Sequence, residues 1–370
     1  MPKESMTSRE RWQAVLKRQT PDRVPMDIWI TPEARKNLLA YMQCDWDEAL
    51  KRLHIDHPLT VGGRYVGPPP PAGKDIWGLE RRVVDHGTGA YDEVINAPLA
   101  KFSSVAEIEA NYSFPSPDHW DYSHLKGEVA GQEHRPVRGG GSEPFLLYKQ
   151  LRGEEAAFMD LVENADIVEY VLGKLFDLAY ESTRRIFEAI PGRVLISYVA
   201  EDLGGQEALL YSPRHIRRFF LPGMRRMCGL VRQHGSTVFC HTDGAVRNIL
   251  EDLIGIGIQV LNPIQWRCPG MEREGLKRDF GSRLIFHGAI DNQFTLPFGS
   301  VEQVREEVGA CLRILGGPAE PGGPAEPGGP AEPGGPAGGY IVAPCHNIQS
   351  VTPPRNILAM YEAGYELGWR

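Results

Sequence analysis

The chain has 370 residues, 42% of them hydrophobic, and a formal net charge of −8, so a large core is available while the acidic balance argues against a nucleic-acid binder. No run of about 18 apolar residues predicts a membrane span, and the N-terminus lacks the apolar core of a signal peptide. We therefore expect a cytoplasmic protein whose six scattered cysteines are reduced thiols.

The first part of the chain contains few clear elements. Residues 7–10 (TSRE) have the spacing of a capping box and predict a helix, and residues 23–29 (RVPMDIW) predict a first strand. From there to about residue 150 the pattern is poor, and proline-rich segments at 67–71 and 113–118 are typical of loops.

The second part is a succession of strands and helices. Helices are predicted at residues 154–190 (in two stretches), 213–234, 246–256, 275–280, 301–315 and from about 353 onward. Strands are predicted at residues 193–199, 237–240, 259–263, 284–287 and 340–344. Such alternation indicates parallel βαβ units. Because no GxGxxG turn follows a strand and the length suits eight units, we predict a (β/α)8 TIM barrel with an N-terminal helical extension and accessory loops. An open doubly wound sheet is the alternative.

We predict one domain over residues 1–370. Within it, residues 316–339 repeat the sequence GGPAEP, which cannot bury apolar surface and is expected to form a flexible Gly/Pro/Ala/Glu loop. The repeat precedes the last predicted strand, at the barrel face opposite the usual active site. We interpret it as a tolerated expansion, with a partner-binding motif as the minor alternative.

Polar residues gather where the five predicted strands end, the positions that line the active site of a βα barrel. They are Glu201 and Asp202; His241 and Asp243; Asn262 and Gln265; His287, Asp291, Asn292 and Gln293; and Cys345, His346, Asn347 and Gln349. Any one of them could be a helix cap or a loop residue. Together they predict a shared polar pocket.

Imidazole and thiolate are ligands that zinc favours, so His241 and Cys345 are candidate ligands, with Glu201 or Asp243 completing a site that keeps an open position. Each residue also has a structural interpretation. His241 could be a hydrogen-bonded barrel histidine, Cys345 a buried inert thiol, Asp243 a helix cap and Glu201 the partner of a nearby cation. Asp291 could hold the loop after its strand.

Several segments resemble the uroporphyrinogen decarboxylase superfamily. They are residues 9–29, 241–246 (HTDGAV), 261–265 (LNPIQ), 286–297 (FHGAIDNQFTLP) and 339–362. The resemblance implies a (β/α)8 barrel. It also implies one of two activities: cofactor-free decarboxylation of a porphyrinogen in haem biosynthesis, or cobalamin-dependent methyl transfer between a corrinoid protein and a thiol or tetrahydrofolate.

The methyltransferase branch carries zinc on a His-x-Cys motif and a later cysteine. His241 and Cys345 match the first and last of these ligands, while Asp243 stands where the middle cysteine is expected. The arginine-bearing segment of the decarboxylases is absent after residue 29. Asp75 could correspond to the aspartate that holds the pyrrole nitrogens in that branch.

We therefore predict a zinc-dependent methyltransferase that uses a corrinoid protein and a small methyl acceptor. A homodimer is compatible with this prediction. The predicted metal ligands are His241, Cys345 and Glu201. The predicted catalytic residues are Asp75, Glu201, Asp243 and Asp291, and the predicted substrate-binding residues are Asn262, Gln265, Gln293 and His346. Alternatives are uroporphyrinogen decarboxylation, which needs no metal, and a non-catalytic ligand-binding barrel.

Overall fold

The computed structural model describes residues 4–85, 87, 90–317 and 339–370. The described helices are α1 (Ser8–Leu16), α2 (Pro32–Met42), α3 (Trp46–Arg52), α4 (Val105–Asn111), α5 (Leu125–Val129), α6 (Pro144–Arg152), α7 (Glu154–Glu163), α8 (Ala165–Ala189), α9 (Pro213–His215), α10 (Leu221–Gln233), α11 (Leu250–Ile256), α12 (Arg273–Phe280), α13 (Thr295–Phe298), α14 (Val301–Ile314) and α15 (Pro354–Leu367). The described strands are β1 (Leu59–Val61), β2 (Arg64–Tyr65), β3 (Arg81–Asp85), β4 (Ala90–Val94), β5 (Trp120–Asp121), β6 (Val137–Ser142), β7 (Ile196–Val199), β8 (Thr237–His241), β9 (Val260–Asn262), β10 (Ile285–Ile290) and β11 (Tyr340–Pro344).

Within the described residues, seven strands form one parallel sheet in the order β1-β6-β7-β8-β9-β10-β11. The two other pairings, β2 with β5 and β3 with β4, are antiparallel. Helices follow the strands from β6 onward, as parallel connections require. The five strands predicted after residue 190 are confirmed as β7 to β11, and the predicted capping box begins α1 at Thr7.

The sequence pattern did not reveal β1 and β6. The strand β1 has three residues, too few to show an alternation. The strand β6 reads VRGGGS, and its three glycines carry no side chains that could mark a buried face. Glycine is nevertheless required there, because a Cβ on Gly141 would lie 1.9 Å from the backbone oxygen of Tyr198 in β7.

Gly141 also supplies a testable prediction about stability. Its φ is +133°, which L residues rarely adopt, so Gly141→Ala combines backbone strain with a clash against β7. We expect the free energy of unfolding to fall by roughly 3 kcal/mol. Gly173→Ala in α8 is the control, because its Cβ would meet nothing within 4 Å and helix propensity favours alanine by up to about 1 kcal/mol. Urea unfolding of both variants measures the difference, and equal stabilities would contradict the clash.

Residues 23–29, predicted as the first strand, lie beside β11. Met26 forms a parallel bridge with Val342. The backbone N–H of Asp27 donates to the Val342 oxygen at 2.8 Å, and on the other side the N–H of Asp56 donates to the Met26 oxygen at 2.6 Å. The segment is thus extended between β11 and the residues that lead into β1.

The core has two layers because strand side chains alternate between the faces of a sheet. The outer layer joins the sheet to the surrounding helices and includes Val238 and Cys240 of β8. The inner layer includes Phe239 of the same strand, and Trp12 of α1 packs into it. The indole N–H of Trp12 donates to the Asp56 oxygen at 2.9 Å, which anchors α1 against this layer.

None of the helices in the described part of the chain is long and apolar enough to cross a membrane. Of the predicted repeat loop at 316–339, residues 318–338 lie outside the described residues. The prediction of one domain over residues 1–370 stays a prediction.

Candidate active site

A polar layer lies on the inner face of the sheet, next to the apolar inner layer. Phe239 belongs to the apolar layer, so alternation along β8 brings His241 to the same face. The register of β8 and β9 pairs His241 with Asn262, and His287 of β10 lies beside them. All three polar side chains are buried, at most 5% exposed.

These side chains form a hydrogen-bonded chain that ends at Asp27. The carboxylate Oδ2 of Asp27 lies 3.0 Å from His287 Nε2, and His287 Nδ1 lies 2.7 Å from Asn262 Nδ2. Asn262 Oδ1 in turn lies 2.7 Å from His241 Nδ1. Burial raises the pKa of Asp27, but the hydrogen bond from His287 and the nearby His57 outweigh it and hold that pKa well below its ordinary value.

These hydrogen bonds fix the proton positions on both histidines. The Asn262 amide nitrogen can only donate, so His287 Nδ1 accepts and the His287 proton lies on Nε2, where it is donated to Asp27. The Asn262 oxygen can only accept, so His241 carries a proton on Nδ1. In the neutral ring, His241 Nε2 is therefore left with its lone pair.

That lone pair points at a cluster of carboxylates and a second histidine. His241 Nε2 lies 3.8 Å from Asp202 Oδ1 and 4.0 Å from Asp243 Oδ1, beyond hydrogen-bonding distance of both. His346 Nε2 lies 3.7 Å from Asp243 Oδ2. The ligand atoms of His241, Asp243 and His346 all lie within 4.8 Å of one another, which is the spacing of a site that could hold a metal ion. Neither Asp202 Oδ1 nor Asp243 Oδ1 has a hydrogen-bond partner among the described residues, although both atoms are buried.

The electrostatics of the cluster favour a cation. Burial raises the pKa of Asp243, and the two histidines only partly offset it. Burial also raises the pKa of Glu143, again opposed by His241 and reinforced by Asp202. A positive charge among these carboxylates would remove their mutual repulsion and satisfy the unpartnered oxygens.

Two aromatic rings enclose His241. Trp29 stacks on its imidazole with ring centroids 5.4 Å apart, and Tyr198 does so at 5.7 Å. Both aromatic residues also line a cavity of about 550 Å³, together with Asn347, the residue after His346. The site thus consists of a polar cluster and a cavity that share an aromatic wall.

Comparison with known proteins identifies the family. The sequence profile described as uroporphyrinogen decarboxylase (URO-D) matches residues 123–367, which is more than half of the chain. The chain belongs to the URO-D family.

A solved structure, a methyltransferase from Methanosarcina mazei, is similar to this URO-D family member with a TM-score of 0.66 and 19% sequence identity. The alignment covers 98% of this chain and 99% of that one. At this identity the likeness shows a common fold. No curated protein sequence matches the chain.

The structure brings together four of the residues predicted for the site. His241 and Asn262 are hydrogen-bonded to each other, and Asp243 and His346 approach His241 from the loops that follow β8 and β11. His346 was expected to bind substrate, and the geometry makes it a candidate metal ligand.

The structure does not bring Cys345 or Glu201 to His241 as ligands. Cys345 donates its thiol proton to the Ile264 oxygen at 3.1 Å, and burial raises its pKa well above the ordinary value. Both carboxylate oxygens of Glu201 accept from the Phe145 N–H, at 3.0 and 3.3 Å, at the start of α6. Burial raises the pKa of Glu201 well above its ordinary value, with Glu143 and Asp202 adding to the shift.

The remaining predicted residues hold loops. Asp291 accepts from three consecutive backbone N–H groups, at residues 293–295, and pairs with Arg267 at 2.7 Å. Gln265 accepts from the backbone N–H of residue 244 at 2.7 Å, and the Gln293 side chain donates to the exposed Gln206 Oε1 at 3.3 Å. Asp75 accepts from the N–H groups of residues 77 and 79 and pairs with Arg81, the first residue of β3, at 3.6 Å.

Asp27, Trp29 and His287 are among the site residues that received no role from the sequence. Asp27 and Trp29 both lie in the predicted first strand, two positions apart, so strand alternation would have placed them on one face. His287 was recognised as a strand-end residue without a partner. Its link to Asp27 spans 260 positions, a contact that periodicity cannot reveal.

Proposed function

We propose that the chain is a methyltransferase of the URO-D family that moves a methyl group between a corrinoid protein and a small acceptor, with zinc held by His241, Asp243 and His346. The observation that carries the proposal is the lone pair of His241 Nε2. It belongs to a side chain that is 5% exposed, it makes no hydrogen bond within the described structure, and it faces carboxylate oxygens that also lack partners.

The residues fit a zinc ion. Zinc takes nitrogen and oxygen ligands at about 2.0–2.2 Å, so two of its tetrahedral ligands lie roughly 3.4 Å apart. The 4.0 Å from His241 and the 3.7 Å from His346 run to different oxygens of Asp243. With one ligand atom from each residue, the three atoms lie within 4.8 Å of one another, so zinc binding needs side-chain shifts of up to about 1.4 Å. This ligand set differs from the predicted one, in which Cys345 and Glu201 joined His241. Asp243 takes the place expected for the middle cysteine.

The chemistry follows from the site. Zinc there would supply Lewis acidity that keeps an acceptor thiol or nitrogen deprotonated at neutral pH. A corrinoid partner would supply the methyl group, and the acceptor's lone pair would form the new bond to the methyl carbon while the corrinoid would keep both electrons of the broken bond. Asp202 Oδ1, which is buried without a partner 3.8 Å from His241, is the group that takes the acceptor's proton. Trp29 and Tyr198 keep water from one side of His241.

The cavity supports methyl transfer over porphyrinogen decarboxylation. Uroporphyrinogen carries eight carboxylates, and each needs a cation or donor when buried. The cavity of about 550 Å³ offers two arginines, Arg35 and Arg138. The neighbouring cluster adds the carboxyl groups of Glu143, Asp202 and Asp243, which would repel a polyanion. The fold shared with the Methanosarcina mazei methyltransferase is consistent with this choice.

The proposal includes closure of the sheet into a (β/α)8 barrel. Residues 24–30 would be the eighth strand. On one side Met26 forms a parallel bridge to Val342 of β11 and Ile30 forms one to Ile348 beyond it, and on the other side the Met26 oxygen accepts the Asp56 N–H, just before β1. Closure would place all the ligands at the carboxyl ends of barrel strands, where barrel enzymes hold their active sites.

Metal content tests the ligand set. We expect about one zinc per chain in protein purified without chelator, and we expect His346→Ala to lose it because one of three ligands is gone. Cys345→Ser is the matched control at the neighbouring position, since its thiol bonds the Ile264 oxygen, and it should keep the metal. Atomic absorption on the purified proteins measures both. Zinc retained by His346→Ala, or lost from Cys345→Ser, would contradict the assignment.

Activity is tested with methylcobalamin as the methyl donor and a thiol or tetrahydrofolate as acceptor. Loss of the methylcobalamin absorbance with formation of the methylated acceptor supports the proposal. Coproporphyrinogen formation from uroporphyrinogen by chelated protein would instead identify a decarboxylase.

A further inference from the structure

The cavity beside the cluster has walls of two kinds. Trp29, Trp46 and Tyr198 supply aromatic surface, and Arg35 and Arg138 supply positive charge. No aspartate or glutamate lines it in the described part of the chain.

The two arginines are available to a ligand. Neither forms an ion pair with a carboxylate among the described residues. Arg138 uses Nε to bond Thr60 Oγ1 at 3.2 Å, and its guanidinium carbon lies 6.0 Å from the Trp29 ring centre. Arg35 stacks on Trp46 at 4.1 Å. A guanidinium that stacks through its face still presents its N–H edge, which matches a carboxylate in a bidentate pair.

The rest of the wall adds backbone and an imidazole. Gly139 and Gly140 line the cavity with backbone alone, and a Cβ on them would meet Ile186 and Thr183 of α8, respectively. His57 contributes its ring, whose Nδ1 bonds Asp27 at 2.7 Å and whose Nε2 is left for a ligand. Aromatic walls favour a planar partner through stacking, and two unpaired guanidinium groups favour an anion.

We propose that this cavity binds a planar, conjugated carboxylate, with the carboxylate on Arg138 and Arg35 and the conjugated part against Trp29 and Tyr198. Trp29 and Tyr198 also stack on His241, so they would direct one end of the ligand toward the metal cluster. The ligand's role as methyl acceptor rests on the proposed function. The binding itself requires no metal.

The test is isothermal titration calorimetry with three probes on full-length protein. 2-Naphthoate is the planar anion, 2-naphthamide is planar without charge, and decahydro-2-naphthoate is charged without a planar ring. We expect 2-naphthoate to bind at least about tenfold more tightly than either of the others. 2-Naphthamide cannot form the charge-assisted hydrogen bonds, and decahydro-2-naphthoate cannot stack on the aromatic walls.

The variant Arg138→Gln should weaken 2-naphthoate binding by about tenfold or more and leave the weak 2-naphthamide binding unchanged. Arg214→Gln, at an exposed arginine outside the cavity, is the control and should bind like the parent protein. Equal binding of the three probes, no binding of 2-naphthoate, or equal affinities in the two variants would overturn the proposal.

The titrations are run on chelated protein and on zinc-loaded protein of measured metal content. If protein that holds zinc does not bind 2-naphthoate, the cavity assignment is overturned and the metal site is retained. Protein that binds 2-naphthoate and holds no zinc would retain the cavity assignment and contradict the metal site.

Discussion

His241→Asn is expected to lower zinc affinity by at least about 100-fold and to reduce methyl transfer from methylcobalamin below detection. The asparagine side-chain nitrogen can replace His241 Nδ1 as the donor to Asn262, so the inner hydrogen-bonded chain is retained. What disappears is Nε2, the atom that faces Asp202 and Asp243. Structural zinc sites with four protein ligands have binding free energies of about 10–16 kcal/mol. Each ligand therefore contributes about 3 kcal/mol to zinc binding.

The control for this variant is His134→Asn, at an exposed histidine. Zinc affinity is measured by competition with a chelator of known affinity, and folding by circular dichroism. His241→Asn protein that folds and binds zinc as tightly as the parent would exclude His241 as a ligand.

Asp27→Asn is expected to lower the free energy of unfolding by about 3 kcal/mol or more and zinc affinity by about 10- to 100-fold. The two oxygens of Asp27 accept from His57, Trp29 and His287. An asparagine offers one oxygen and one NH2 group, so a buried donor would face another donor. His287 would lose the contact that fixes its proton, and Asn262 would no longer hold His241 in one tautomer.

The stability effect depends on pH in a defined direction. The pKa of Asp27 lies below that of the unfolded chain, about 3.9, so its contribution is complete above about pH 4 and is lost as the pH falls through the folded pKa. The difference between parent and Asp27→Asn should therefore be constant from pH 7 to 5 and should shrink at pH 3. Urea unfolding at the three values measures it, with exposed Asp92→Asn as the control. A difference that grows in acid would contradict the charge assigned to Asp27.

The fold could be predicted from the sequence where a strand has its own hydrophobic pattern. The strands β7 to β11 are short apolar runs between helices of clear periodicity, and all five were found. The strand β6 was not, because its glycines serve the close approach to β7 and have no hydrophobic pattern. The segment at 23–29 was recognised as extended, whereas its bonds to β11 and to Asp56 are long-range contacts that no local pattern specifies.

The site was predicted in outline because strand ends converge in parallel sheets. His241, Asp243, Asn262 and His346 were found in this way. The ligand set was not predictable, because Cys345 and His346 are consecutive and the sequence does not say which one turns toward His241. The structure turns Cys345 toward the Ile264 oxygen and His346 toward Asp243.

Zinc X-ray absorption spectroscopy tests the central claim most directly, since it reports which atoms bind the metal. Nitrogen and oxygen ligands lie at about 2.0–2.2 Å from zinc, whereas a thiolate sulfur lies at about 2.3 Å and scatters more strongly. For the zinc-loaded protein we predict a shell of nitrogen and oxygen alone, with the imidazole scattering of two histidines, and the same spectrum for Cys345→Ser. A sulfur shell that disappears in Cys345→Ser would contradict a site built from His241, Asp243 and His346.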